Sequence, residues 1–340
     1  MQRCFELAQL GAGNVAPNPM VGAVLVHDNR IIGEGFHAQY GGPHAEVNCF
    51  QSVQTEDRSL IEAATLYCSL EPCSHYGKTP PCADLVIKNQ VKKLVISNLD
   101  PNPLVAGRGV EKIRAAGIEV ETGLLEQEGA WLNRIFFKWI QQKTPYIILK
   151  WAQSQDGFIG ISGARTPISN PITQRLNHRW RSEISTILVG NTTAVVDNPS
   201  LNTRTYPGPN PLRIALDRHA HIPVDYHLFD DQQETWIYGP PRTGNWQNLQ
   251  FLAPYDPFEI PALLEQLGQA QKSSLIVEGG AHLLKQFISQ NYWDEIRVIK
   301  NAQMLGGGIA APDLPVQLDL KNQFNLQDDQ ISVYVRRGAK

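Results

Sequence analysis

The chain has 340 residues, of which 42% are hydrophobic and 19% charged, and its formal net charge is −3. This length favours two domains, and the composition is that of an ordinary globular protein. A slightly acidic chain lacks the basic surface that nucleic-acid-coating proteins need, and no apolar run reaches the ~20 residues of a membrane helix. We therefore expect a cytoplasmic protein that binds neither nucleic acid nor membrane.

The first half of the chain alternates strand and helix patterns. Apolar spacing predicts a helix over residues 2–11, and β-rich runs over 21–26 and 31–36 flank Asp28-Asn29, a hairpin signal. The later predicted elements of this half are a helix from His44, strands over 65–69 and 93–97, and helices in the 80s, over 107–116 and over 124–140. This alternation favours a layered α/β domain.

A break at Lys143-Thr144-Pro145 divides the chain, because proline ends the preceding helix. We predict two domains, 1–143 and 144–340. In the second, Asn170 is expected to cap a helix that begins at Pro171. The other predicted elements are strands over 146–151, 186–189, 213–216, 235–238, 275–277, 295–299 and 331–336, and helices over 260–269 and after Gly280.

Two of the five cysteines have a proposed use. An odd number of cysteines does not indicate a disulfide framework. Cys73 and Cys82 each follow a proline and are candidate metal ligands. The other three, Cys4, Cys49 and Cys68, are expected to be buried small apolar residues in a reducing compartment.

His44, Glu46, Cys73 and Cys82 together have the composition of a hydrolytic zinc site. A catalytic zinc takes three protein ligands and keeps its fourth position for water, whereas a structural zinc usually takes four. His44, Cys73 and Cys82 are the predicted ligands of one Zn²⁺ per chain. Glu46 then remains free to move protons between water and an amine-bearing ring carbon. A structural zinc, with His75 as a competing ligand, remains the alternative.

This cluster resembles the zinc signature of nucleobase deaminases, H-x-E followed by P-C-x-x-C. Here, however, eight residues separate the cysteines. That longer form, within EPCSHYGKTPPC at 71–82, together with PNP at 17–19 and HAEVN at 44–48, is similar to the bifunctional deaminase/reductase family of riboflavin biosynthesis. The resemblance implies an α/β fold, with a cytidine-deaminase-like three-layer domain followed by a dihydrofolate-reductase-like domain.

For the first domain, the resemblance implies deamination of 2,5-diamino-6-(5-phosphoribosylamino)pyrimidin-4-one. Asn18 would bind the pyrimidine ring, and His75 and Lys78 would approach the substrate. A nucleic-acid-editing deaminase with an appended binding domain would share the zinc chemistry. Such a protein is expected to present basic and aromatic surfaces, which the acidic balance does not favour.

In the second half, Glu278-Gly279-Gly280 stands between a predicted strand and a predicted helix. Such glycines let a phosphate approach a helix N-terminus, but they also occur in plain turns, and they are not the G-x-G-x-x-G fingerprint. The resemblance implies that NADPH reduces the phosphoribosyl group of 5-amino-6-(5-phosphoribosylamino)uracil to a ribityl chain. It places NADPH at Ala152, Thr193, Asp197 and Gly280. It places the substrate at Arg181, Leu201, Arg204 and Glu278. Lys150, on the strand that enters this site, is a candidate for proton transfer to the opened sugar, with an ordinary structural lysine as the alternative.

One segment departs from the family. Many members carry a serine and a tryptophan where this chain has Arg165 and Pro167, and proline supplies neither an indole nor a backbone N–H. These changes are typical either of variation between lineages or of a weakened reductase or ligand-binding module. We also expect a homo-oligomer that acts on phosphoribosylated pyrimidines.

Overall fold

The computed structural model describes residues 1–76, 80–102, 106–254 and 256–338. The chain divides into two compact units, Met1–Lys143 and Thr144–Lys340. Within the described ranges, no helix has both the length and the apolar character needed to cross a bilayer.

The first unit is built on one mixed sheet. Its strands are β1 (Gly22–His27), β2 (Arg30–Phe36), β3 (Thr65–Leu70), β4 (Lys93–Asn98) and β5 (Glu119–Thr122). Its helices are α1 (Gln2–Gln9), α2 (Ala45–Ser52), α3 (Cys82–Asn89), α4 (Arg108–Ala115), α5 (Glu126–Leu132) and α6 (Arg134–Gln142). The strand order is β2-β1-β3-β4-β5; β3, β4 and β5 are parallel, and β1 is antiparallel to β2 and β3.

Alternating side chains cover both faces of this sheet, because successive residues of a strand point to opposite sides. On one face, residues such as Leu25 and Leu66 pack against α2, α3 and α4. On the other face, Val24 and Tyr67 pack against Cys4 and Leu7 of α1. The unit therefore has the predicted three layers.

Local signals located most elements of this half, including the hairpin. Asp28 and Asn29 both have positive φ, as a two-residue type I′ turn requires. The single helix predicted over 124–140 is wrong: α5 and α6 are separated at Asn133. The buried Asn133 side chain donates to the Met20 carbonyl and accepts from the Met20 amide, each at 2.9 Å. This long-range pair holds Asn133 out of the helical conformation.

The second unit is built on a second mixed sheet, and β7 and β14 form a separate two-stranded sheet. The strands of this unit are β6 (Tyr146–Gln153), β7 (Phe158–Gly160), β8 (Thr186–Val189), β9 (Leu212–Leu216), β10 (Thr235–Tyr238), β11 (Leu249–Leu252), β12 (Ser274–Glu278), β13 (Glu295–Asn301), β14 (Ile309–Ala310), β15 (Leu318–Leu326) and β16 (Asp329–Arg336). Its helices are α7 (Pro171–Ser182), α8 (Asn191–Asp197), α9 (Ile260–Gln269) and α10 (Ala281–Ser289). The main sheet has the order β11-β10-β9-β8-β12-β6-β13-β16-β15. The strands from β11 to β13 in this order are parallel, and β16 and β15 add antiparallel pairs at one edge.

The predicted elements of this half are present, and the Asn170 side chain caps α7 by accepting from the Thr173 amide at 2.9 Å. Several elements were not predicted. The β15 sequence, LDLKNQFNL, is mostly exposed at the sheet edge and so lacks an apolar pattern. Helix α8 contains NTTAVVD, whose β-branched residues have low helix propensity. In both cases tertiary packing outweighs the local preference.

Candidate active sites

Three side chains of the first unit converge beside the carboxyl end of β3. His44 is the N-cap residue of α2, Cys82 begins α3, and Cys73 follows β3. The Sγ atoms of Cys82 and Cys73 lie 3.3 Å and 3.6 Å from Nδ1 of His44. All three ligand atoms lie within 4.8 Å of one another. One imidazole nitrogen and two thiols form a donor set that suits zinc, and three ligands leave a fourth position open.

The cluster favours a thiolate at Cys73. The backbone amide of Cys82 donates to the Sγ of Cys73 at 3.3 Å. Hydrogen bonding from the Cys82 side chain, followed by that from His44, holds the pKa of Cys73 well below the ordinary value of a thiol. The thiolate is the form of cysteine that binds metals, so this environment fits a metal ligand.

Glu46 lies in the first turn of α2 and is only 3% exposed. Burial, with a smaller contribution from the charge of Cys73, raises the pKa of Glu46 to about 7. A carboxyl group that titrates near neutral pH can both accept and return a proton. Its buried position next to the metal ligands, outside the ligand set, therefore fits a proton carrier.

His44, Glu46 and Cys73 line a cleft of about 300 Å³. Asn18 lines this cleft, and His75 lines it with an exposed side chain. Lys78, the third predicted substrate residue, lies outside the described residues. The cleft also contains polar residues that were given no role from the sequence: His37, Asp100 and Asn102. Asp100 and Asn102 belong to the stretch DPNP at 100–103, which also resembles the family, whereas no motif indicated His37.

His37 orients Asn18. Its Nδ1 lies 2.9 Å from the Pro43 carbonyl oxygen, and its Nε2 lies 3.2 Å from Nδ2 of Asn18. Burial is the main cause that lowers the pKa of His37, which favours the neutral ring. When Nδ1–H donates to Pro43, Nε2 accepts from the Asn18 amide group and leaves the Asn18 carbonyl oxygen available to a ligand. The only sequence signal was a histidine directly after β2.

The residues predicted for reduction also lie together. A cavity of about 670 Å³ in the second unit is lined by nearly all of them: Lys150, Ala152, Arg181, Thr193, Asp197, Leu201, Glu278 and Gly280. Arg204 lines a second cavity, of about 370 Å³, which shares Arg181, Asp197 and Leu201 with the first. Pro167 lines the second cavity too.

A group of three charges lies in the larger cavity: Lys150 and Glu278 are buried, and Arg181 is mostly buried. Parallel pairing of β6 and β12 places Lys150 beside Glu278, with Nζ 3.7 Å from the carboxylate. Arg181 of α7 donates to both carboxylate oxygens of Glu278, at 3.1 Å and 2.8 Å. Burial alone raises the pKa of Glu278, but the two cations outweigh it and hold this pKa at about 2. Burial lowers the pKa of Lys150.

The smaller cavity is cationic. Arg165, Arg181 and Arg204 all line it. Burial, followed by the charges of Arg181 and Arg165, lowers the pKa of Arg204. Within the described residues Arg165 donates no hydrogen bond, so its guanidinium remains available to an anion. Guanidinium groups bind phosphate in a bidentate way.

The glycines after β12 allow a close approach of backbone to α8. Gly279 has φ +90°, and a Cβ there would lie 2.8 Å from Cγ2 of Thr193. Gly280, at φ +73°, is the N-cap residue of α10. The turn therefore needs glycine for conformation and for space, and it leaves the first amides of α10 at the cavity.

Comparison with known proteins identifies the family. The "Cytidine and deoxycytidylate deaminase zinc-binding region" matches residues 1–98, and the "RibD C-terminal domain" matches residues 145–337. The riboflavin biosynthesis protein RibD of Aquifex aeolicus is 36% identical over 325 residues, which cover 93% of this chain and 90% of that protein. The chain belongs to the RibD family.

Further RibD relatives agree. RibD of Bacillus amyloliquefaciens is 38% identical over 325 residues, covering 92% of this chain and 86% of its own. The crystal structure of a diaminohydroxyphosphoribosylaminopyrimidine deaminase/5-amino-6-(5-phosphoribosylamino)uracil reductase from Thermotoga maritima superposes with a TM-score of 0.89 at 33% identity. The match covers 99% of this chain and 97% of that one.

RibD membership confirms several predictions. The chain is a bifunctional enzyme of riboflavin biosynthesis, with deaminase and reductase activities. The predicted fold class is confirmed, with a cytidine-deaminase-like domain followed by a reductase domain. A zinc-binding region and a RibD reductase domain imply zinc and a nicotinamide cofactor.

Proposed function

We propose that residues 1–143 deaminate 2,5-diamino-6-(5-phosphoribosylamino)pyrimidin-4-one and that residues 144–340 reduce 5-amino-6-(5-phosphoribosylamino)uracil with NADPH. The observation that supports the deaminase activity is the cluster of His44, Cys73 and Cys82 beside the buried Glu46. Support for the substrates comes from the names of the two activities of the T. maritima relative. Incubation with the diamino substrate and NADPH, following ammonia release and NADPH oxidation separately, tests both halves.

In the deaminase site, His44, Cys73 and Cys82 hold one zinc ion per chain. Bound zinc supplies Lewis acidity, which lowers the pKa of water toward neutrality. Glu46 accepts one proton from the attacking water and delivers it to the ring nitrogen. It then accepts the second proton of that water, from the new hydroxyl group, and delivers it to the amine, which leaves as ammonia while the carbonyl forms. Asn18, oriented by His37, holds the pyrimidine, and His75 and Lys78 complete the binding site.

Replacing Cys82 with serine is expected to lower zinc content well below one ion per chain and to abolish deamination. A serine hydroxyl is a much weaker zinc ligand than a thiolate. Metal analysis and ammonia release measure the two effects, and NADPH oxidation with the deaminated substrate should persist. Cys68→Ala is the matched control, because Cys68 is buried in β3 and outside the cluster. Full zinc content in Cys82→Ser would contradict the ligand assignment.

In the reductase site, Ala152, Thr193, Asp197 and Gly280 would hold NADPH, which would supply the hydride when bound. The glycine turn before α10 suits a phosphate, because it presents backbone N–H groups at a helix N-terminus. Lys150 and Glu278 lie in the same cavity. The lowered pKa of Lys150 suits proton transfer to the opened sugar, and Glu278 keeps Lys150 and Arg181 in place.

The cationic cavity takes the substrate phosphate. Arg181 is largely committed to Glu278, so Arg165 and Arg204 are the available donors, beside Leu201. Arg165 therefore adds a phosphate contact where many family members carry serine. This view favours a working reductase over the weakened one, and the absence of NADPH oxidation in the unmodified protein would favour the latter.

Replacing Arg165 with serine is expected to raise the KM for the deaminated substrate roughly 10- to 150-fold, since a charge-assisted hydrogen bond contributes about 1.5–3 kcal/mol. Steady-state NADPH oxidation measures this KM, and the KM for NADPH should change little. Arg175→Ser, an exposed position on α7, is the control. An unchanged substrate KM would show that Arg165 does not contact the phosphate.

Oligomeric state and location stay predictions. The expected homo-oligomer is tested by light scattering of the purified chain, and the cytoplasmic location by fractionation of cells.

A further inference from the structure

Glu71 stands between the sheet and the metal-binding segment. It follows β3 directly, precedes Pro72-Cys73 and is only 4% exposed. Its backbone amide donates to the Asn98 carbonyl at 2.9 Å, which ties it to the end of β4. The proposed chemistry of the deaminase does not use this carboxylate, although a buried carboxylate needs compensating partners.

The partners of Glu71 are backbone amides from another part of the chain. One oxygen, Oε2, accepts from the amides of Asp100 at 3.2 Å and Gly107 at 2.9 Å. The other, Oε1, accepts from Gly109 at 3.0 Å and Val110 at 3.3 Å. The last two amides belong to the first turn of α4, which has no side-chain cap of its own. Glu71 therefore acts as a distant cap, satisfying donors that a helix leaves free.

Gly109 of α4 packs directly against Pro72 of the metal-binding segment, with no room for a side chain. A Cβ on Gly109 would lie 2.3 Å from the Pro72 carbonyl oxygen and 3.1 Å from Oε1 of Glu71. Since backbone cannot yield as a flexible side chain can, α4 comes this close to the metal-binding segment only with glycine at this position. The close packing of Gly109 and the four hydrogen bonds to Glu71 therefore both hold the start of α4 and the chain before it against residues 71 and 72.

The chain held in this way carries part of the cleft wall. The Asp100 carboxylate accepts from the Asn102 amide at 2.8 Å, which fixes a local turn. Asp100 and Asn102 line the same cleft as His44 and Glu46. The anchored Asp100 amide thus links the position of these polar groups to the segment that carries Cys73.

We propose that Glu71 is a positioning residue of the deaminase, which holds the Asp100–Asn102 wall of the cleft at a set distance from the metal-binding segment. This inference rests on the deaminase function proposed above. Glu71 also lines the cleft. In this role, however, its carboxylate acts through the backbone amides that it accepts from, and not through the substrate. Its effect is on the binding of the pyrimidine substrate, through the wall that it anchors.

The test compares Glu71→Gln with Gly109→Ala. Glutamine keeps the size of the side chain, but its NH₂ group cannot accept two of the four N–H donors. Alanine keeps the carboxylate but separates α4 from Pro72. We expect both variants to raise the deaminase KM about 10-fold or more, with kcat changed far less and zinc retained. Glu71→Asp, which keeps two acceptor oxygens, should recover part of the loss.

Hydrogen exchange separates this role from a general loss of stability. Exchange at Gly107, Gly109 and Val110 should rise in Glu71→Gln, while exchange in α2 and α3 stays unchanged. An unchanged KM in both variants, or a loss of activity that follows zinc loss alone, overturns the inference. Reductase activity reports on the folding of the rest of the chain, and Gly109→Ala decides the matter if Glu71→Gln misfolds. Absence of deamination in the unmodified enzyme would instead overturn the proposed function.

Discussion

Glu46→Gln is expected to abolish ammonia release while zinc content stays near one ion per chain. Glutamine has nearly the same size and fills the same buried position, but it cannot take a proton from water at neutral pH. General acid–base groups contribute about 10²–10⁴-fold to rate, and Glu46 is proposed to act in more than one proton transfer, so a loss of at least ~10³-fold is expected. Ammonia release and metal analysis on the same preparation measure the two quantities.

A matched control for this variant is Glu119→Gln, an exposed carboxylate of β5 paired with Lys93. It should change neither activity. Reductase activity should also be intact in Glu46→Gln. Substantial ammonia release by Glu46→Gln would show that another group carries the proton.

Replacing Glu278 with alanine is expected to abolish reduction and to destabilise the second unit. Lys150 and Arg181 would then be buried without their counter-charge. Removing one partner from a buried ion pair costs about 3–5 kcal/mol. NADPH oxidation measures the loss of reduction, and urea unfolding measures the loss of stability of the second unit. Ammonia release should persist. Retention of both reduction and stability would contradict the role of this ion group.

The control is Glu183→Ala, which breaks the more exposed pair with Arg179 on α7. Surface pairs of this kind contribute only about 0.3–0.5 kcal/mol.

The pH dependence of the stability of the second unit gives a further check on Glu278. The pKa of Glu278 lies near 2 in the folded chain, below its ordinary value of 4.5. Its contribution to stability is therefore present above about pH 4.5 and is lost as the pH falls toward 2. Glu278→Gln should flatten this acid dependence.

The local sequence pattern was enough to predict a feature where the contacts that form it are close in sequence. The turn at Asp28-Asn29 and the cap at Asn170 depend on residues within a few positions, so both could be predicted. The zinc cluster was also recognisable, because imidazole, carboxylate and thiols appear in a characteristic order. The reductase residues were named only through family resemblance, since their types alone fit many surfaces.

Long-range contacts decided what local pattern could not. Asn133 ends α5 because it pairs with Met20, which lies 113 positions away. Arg165 looked like a defect in a motif, yet it lines a cationic cavity with Arg181 and Arg204. No spacing rule connects such residues, because the folded chain brings them together.

The amino-acid sequence by itself predicted the chemistry of this enzyme: a His-Cys-Cys group suited to zinc and a nearby carboxylate suited to proton transfer, in an order that resembles one family. Only the tertiary structure decided how the sites are supported, through His37 on Asn18, Glu71 on the amides of α4, and Glu278 between two buried cations. The physical reason is that the order of residues along the chain specifies only which chemical groups are present and how far apart they are in sequence. Burial and distant hydrogen bonds specify where those groups lie and which protons they hold.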